Sequence, residues 1–159
     1  MDRNDSPSHG QHPQSTAKIG DHPIHPMLIP FPIVCFVGAF FTDIVYARGQ
    51  DPGWATASNW LLGIGLVMAA LAAIAGFTDY LGDDRIRRLG DALKHMLANV
   101  AAVVLEAVNL VLRLDNRDFI GSTGVYISGL VVLILLYSGW KGGDLVYRHG
   151  VGVHDTSNL

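Results

Sequence analysis

The sequence is short of charge over long stretches. Residues 52–78 and 119–140 contain no Asp, Glu, Lys or Arg. Charged residues make up 16% of the chain, against about a quarter in soluble domains. Cysteine is reduced to Cys35, which rules out an intrachain disulfide and reads as buried packing. Residues 1–20 have no apolar centre, so no secretory signal is expected. No Gly-rich phosphate loop occurs, and no nucleophile stands beside a base, which leans away from an enzyme. The absence of C-x-x-C-H excludes covalent c-type haem. A formal net charge of −3 gives no reason to expect nucleic-acid binding.

The apolar runs themselves are long. Each uncharged stretch is enough to cross a hydrocarbon layer, which takes roughly 20 residues. Residues 26–47 form a third run, interrupted only by Asp43. Residues 92–114 carry Lys94, His95, Asn99, Glu106, Asn109 and Arg113, and alone could be an interfacial amphipathic helix. Short connections on both sides favour an antiparallel hairpin with the neighbours instead. The expected fold is all-α, a bundle of four transmembrane helices at about 26–47, 56–80, 92–114 and 124–146, with both termini on the same side. Residues 1–20 read as a disordered polar tail, 21–153 as the membrane domain and 154–159 as a short tail. The spacing of Gly65, Ala69, Ala72 and Gly76 predicts close helix packing.

Four spans put both termini and the 81–91 loop on one side, with Arg3, Lys18, Arg85, Arg87, Arg88, Lys94, Lys141 and Arg148. These are eight of the eleven basic residues. Arg48, Arg113 and Arg117 fall on the other side. The positive-inside rule makes the eight-residue side cytoplasmic.

On that side the histidines gather. His22 and His25 enter the first helix, His95 lies about a turn into the third, and His149 follows the fourth. Asp79 and Asp144 end the second and fourth. Helical bundles build cofactor sites from facing helices in this way. At 100° per residue, His95, Asn99, Glu106 and Asn109 fall on one stripe, which Asp43 could meet at its far end. This predicts a polar seam through the bundle, since ionisable groups in a membrane usually face its interior. Blander roles compete: a hydrogen bond across helices for His95, a wet edge at the interface for His149, and capping of the Arg85–Arg88 loop for Asp79. His9, His12 and His154 read as solvated tail residues.

The stretch "DHPIHPMLIPFPI" sharpens the entrance. Residues before proline are pushed toward extended geometry. In polyproline II, His22 and His25 would share a face about 9 Å apart, too far for one mononuclear ion unless the segment turns. Pro26 suits a first helical position, and Pro30 and Pro32 are expected to disturb the first turns.

"HPIHPMLIPFPI", "HMLAN" in the third helix and "GWKGGDLVYRHGVGV" closing the fourth resemble the bacterial membrane proteins catalogued as domain of unknown function 2231. The resemblance covers residues 21–153. It implies a four-helix, multi-pass protein of the bacterial inner (plasma) membrane, with N- and C-termini cytoplasmic by the charge count. It also implies redox work beside cytochrome or iron–sulfur modules, and a haem. By the same resemblance, many relatives have a histidine in the "LIPFP" segment where this chain has Pro30, which would leave a borrowed ligand set one short here.

The leading expectation is haem b or a transition-metal ion with an electron-transfer role. Its cofactor residues are His22, His25, His95 and His149, or, as a metal set, His25, His95, Asp79 and Asp144. The alternative is a structural or accessory subunit without cofactor. A small transporter or proton pathway on Asp43, Glu106, Asn109 and His95 ranks third, for want of an inverted repeat. The lipid bilayer is the first partner. A cytochrome or iron–sulfur protein and a second copy of the chain remain open as further ones.

Overall fold

The computed structural model describes residues 12–153. Of the tail expected over 1–20, residues 1–11 lie outside the described residues, as do 154–159 and with them His9 and His154. Residues 12–20, by contrast, make defined contacts. Two short strands, β1 (Lys18–Ile19) and β2 (His22–Pro23), pair antiparallel with Ile19 opposite His22. The helices follow: α1 Ile24–Leu28, α2 Pro30–Gly49, α3 Pro52–Gly82, α4 Asp84–Arg87, α5 Gly90–Asp115 and α6 Val125–Tyr147. A π-helical turn, Ile120–Gly124, leads into α6.

The entrance therefore does not run as polyproline II. His22 lies in a strand and His25 is already helical, in an element that starts at Ile24 and not at Pro26. Pro30 and Pro32 disturb the first turns less than their chemistry suggests. They break the ladder only at Ile29, whose N–H still reaches the His25 carbonyl at 3.2 Å while its own carbonyl accepts from Ile33. The other boundaries have local causes. Asp51 caps α3 by accepting from Gly53 N–H at 2.8 Å, with Pro52 at the first helical position. Gln50 ends α2 in the left-handed conformation, φ 56°.

Spans Ile24–Gly49, Pro52–Gly82, Gly90–Asp115 and Ile120–Tyr147 are long and apolar enough to cross a membrane. The helices form a ring in which α2 packs chiefly on α3 and α5 chiefly on α6; α2 also meets α6, while α3 and α5 touch less. The small residues of α3 permit the α2 contact: a Cβ at Gly65 would come within 2.7 Å of the Phe36 ring. Phe36, Ala39, Leu62, Ala69, Ala102 and Val131 make the central apolar core. Val34, Val67, Val111 and Leu136 point outward and exposed. Such a surface would be a liability in water but faces acyl chains in a bilayer.

Candidate functional site

The first cluster lies at the end of the bundle where residues 13–14 meet residues 152–153. Gly152 N–H donates to the Pro13 carbonyl at 2.9 Å and Gln14 Nε2 to that of Val153 at 3.3 Å. Just inside, the rings of His25 (α1) and His95 (α5) meet edge to face, centroids 6.1 Å apart and planes at 90°. His25 Nδ1 lies 2.7 Å from the Ala72 carbonyl of α3, and His95 Nδ1 2.8 Å from the Ser138 carbonyl of α6. A carbonyl only accepts, so each Nδ1 carries the proton and each Nε2 presents a lone pair. Asn99, one turn on from His95, donates from Nδ2 both to the His95 carbonyl (2.9 Å) and to His95 Nε2 (3.1 Å). Glycines make room for the rings. A Cβ at Gly76 would sit 2.8 Å from the His25 ring, and one at Gly142 3.1 Å from that of His95. The small-residue stripe of α3 thus ends as the seat of His25.

The other expected members of this site have partners elsewhere. His22 is exposed on β2. His149 Nε2 lies 3.3 Å from Asp91, and Asp144 pairs with Lys141 at 2.9 Å and Arg148 at 3.7 Å. Asp79 neither joins the histidines nor caps the basic loop. Its Oδ1 accepts from Ser15 Oγ (2.8 Å), Thr16 N–H (2.8 Å) and Ala17 N–H (2.7 Å), and so holds residues 15–17 across the bundle end. Among the described residues no group of three or more His, Cys, Asp or Glu could hold a metal ion.

Asp83 reinforces this strap by accepting from Gln14 N–H at 3.2 Å. Its hydrogen bonds from Arg85 hold its carboxyl well below the usual range, at about 2. Because the folded value is depressed, this contribution is full above the unfolded value near 3.9 and is lost as pH falls toward 2. Amide exchange should therefore show Gln14, Thr16 and Ala17 protected at pH 5. The protection, corrected for intrinsic rates, should fall at Gln14 as pH approaches 2. Asp79→Ala should remove it at Thr16 and Ala17 at every pH, by tenfold or more.

The second cluster lies toward the opposite end. Arg113 grips Asp43 through two hydrogen bonds of 2.9 Å, Nη1 to Oδ1 and Nη2 to Oδ2, with both side chains fully buried. Ser58 (α3) donates to Asp43 Oδ1 at 2.5 Å and Ser128 (α6) to Oδ2 at 2.8 Å. Asn109 Oδ1 accepts from Arg113 Nη2 at 2.8 Å, and its Nδ2 donates to Glu106 Oε2 at 2.9 Å. Glu106 Oε1, also buried, has no partner. The π-helical turn serves this centre. A Cβ at Gly124 would come within 3.1 Å of both Arg113 and Asn109, so glycine there lets the start of α6 close on the network.

Asp43 does meet the far end of the α5 stripe, as its position suggested. The stripe is nevertheless two layers and not one seam. Asn99 belongs to His95, and the seven residues to Glu106 span about 10 Å of helix alongside Ala102, Leu62 and Val131, all buried. No polar side chain on α5 bridges that gap, which weighs against a continuous proton path through it. Arg113 was the member hardest to expect, although its phase announces it: 18 residues beyond His95 is five full turns.

No curated protein and no solved structure matches this chain. The family described as predicted membrane protein, DUF2231, matches residues 21–155. That range takes in α1 to α6, the histidine pair and the Asp43–Arg113 centre, and the chain belongs to that family.

Proposed function

We propose that the His25–His95 pair is the working centre of this membrane protein and holds haem b iron or a transition-metal ion for electron transfer. One observation carries the reading: two imidazoles from different helices meet with Nδ1–H of each tied to a main-chain carbonyl. That tether fixes the tautomer and is the usual support of a metal-binding histidine.

Two protein nitrogens suit haem iron, whose macrocycle supplies the remaining four ligands. For a free ion they leave positions to water or a partner molecule. Bound there, the iron or ion would supply one-electron chemistry. The residues would hold it through His25 Nε2 and His95 Nε2, the latter exchanging its Asn99 hydrogen bond for the metal. With Arg113 neutralised by Asp43, only Arg48 and Arg117 among the described residues oppose the seven described basic residues of the histidine end. The charge asymmetry supports a cytoplasmic location for that end; the reading takes the membrane to be a bacterial inner membrane and the electron partner to be a cytochrome or iron–sulfur protein.

A second reading, an accessory subunit without cofactor, draws on the same geometry. Asn99 already satisfies His95 Nε2, and the pair ties α1, α3, α5 and α6 together without any ion. Titrations of the purified protein with haemin and, separately, with transition-metal salts separate the two. The cofactor reading expects saturable uptake of one of them at one per site, lost in His25→Ala. Equal uptake by wild type and His25→Ala, or none by either, favours the accessory reading.

A further inference from the structure

The Asp43–Arg113 centre contains one more carboxyl group than it has cations. Arg113, Asp43 and Glu106 meet there, 1%, 0% and 0% exposed. Arg113 commits all its N–H groups to other partners. Nη1 donates to Asp43 and Ser58, Nη2 to Asp43 and Asn109, and Nε to Asn109 at 3.3 Å. Each Asp43 oxygen accepts twice, once from Arg113 and once from a serine. That pair is neutral and complete, and it leaves no donor for Glu106.

Glu106 receives a single hydrogen bond, from Asn109 Nδ2 to Oε2, while Oε1 is buried without one. Turning the amide over would not help, because Asn109 Oδ1 has to face the arginine, which only donates. The charged groups of the network are Asp43 from α2 and Arg113 of the same helix. From α3 comes Ser58, and from α6 Ser128 with the Gly124 carbonyl before it. Residues 52–78 contain no titratable side chain, and residues 119–140 only Tyr126 and Tyr137, both exposed. Glu106 also stands nine residues before the end of α5, about 14 Å from it. A carboxylate there would be a buried charge with one hydrogen bond and no counter-ion, a state that proteins avoid by neutralising the group.

We infer that Glu106 is a proton-binding site inside the membrane, holding a proton on Oε1 at neutral pH while Asp43 stays ionised. A proton is singled out over a metal ion for two reasons. It needs no cavity, so the burial of Oε1 does not bar it, and no group of three ligating side chains stands among the described residues. The acid O–H can turn to a carbonyl of its own helix, as buried hydroxyls do. Ionising Glu106 would give the neutral network a net negative charge. Any motion that parts α5 from α6 and lets water reach Oε1 is therefore linked to proton release. The apolar layer separates this site from the histidine pair, so it stands whether or not that pair holds a metal.

The test exploits composition: Glu106 is the only glutamate in the sequence. Glutamate labelled with carbon-13 at the side-chain carboxyl therefore reports on it alone. The full labelled chain is reconstituted in phosphatidylcholine vesicles at neutral pH and read by solid-state NMR and infrared spectroscopy. The signal of a protonated acid is expected, and that of a carboxylate in the folded wild type would overturn the proposal. Asp43→Asn supplies a second arm. With its first anion gone, Arg113 should draw the proton off Glu106, and the labelled carboxyl should become ionised. A carboxyl that stays protonated in folded Asp43→Asn would overturn the claim that the charge count puts the proton there. Circular dichroism shows whether that variant is folded, and the wild-type signal decides if it is not.

Discussion

Arg113→Leu should be the most damaging single substitution in the bundle, lowering its stability by about 3–5 kcal/mol, because it leaves a buried Asp43 without its partner. The guanidinium makes contacts to Asp43, Ser58 and Asn109, and among the described residues no other cation pairs with Asp43 to replace it. Removing both charges is a different matter. The double variant Asp43→Leu with Arg113→Leu deletes the desolvated pair together, and Ser58 and Ser128 can turn back to carbonyls of their own helices. It should recover most of the loss. Thermal unfolding in detergent checks both. A double variant as unstable as the single one would mean that the network, and not the unpaired charge, sets the cost.

His95→Ala should abolish bound cofactor while leaving membrane insertion and the Asp43–Arg113 layer intact. His95 and Arg113 are 18 residues apart on α5, about 27 Å, with the apolar core between their layers, and mutations so separated usually act independently. Cofactor content per protein is the readout, with unfolding temperature as control. Full content in a folded His95→Ala would remove His95 from the ligand set. Asn99→Ala offers a finer probe: by freeing His95 Nε2 from its competing hydrogen bond it should retain the cofactor and bind it more tightly.

Much of this arrangement is legible in the amino-acid order, and the rest is hidden for physical reasons. Uncharged runs mark α3 and α6 because a charge in hydrocarbon is too costly to be placed idly. The α5 stripe shows because helical phase is periodic, and it carries His95, Asn99, Glu106 and Asn109 to where the structure has them. Arg113 belongs to that stripe but sits near the helix end, where an arginine reads equally well as a loop charge. Ser58, Ser128 and Ser138 give no signal, since serine in an apolar helix is as often filler as ligand. His22 and His25 cannot be separated in "HPIHP": the choice depends on the β1–β2 turn, set by the Asp79 strap 60 residues away. The same strap explains Asp79, whose role as an acceptor for main-chain N–H groups leaves no trace in local sequence.

The central claim is that the histidine pair holds a cofactor. Absorption spectra of the detergent-purified protein, oxidised and then dithionite-reduced, with elemental analysis of the same sample, test it most directly. The account predicts either a Soret band that sharpens on reduction or a stoichiometric transition metal, in both cases lost in His25→Ala and His95→Ala. A colourless, metal-free protein that is folded and membrane-inserted would contradict it and leave the pair as a structural tie between helices.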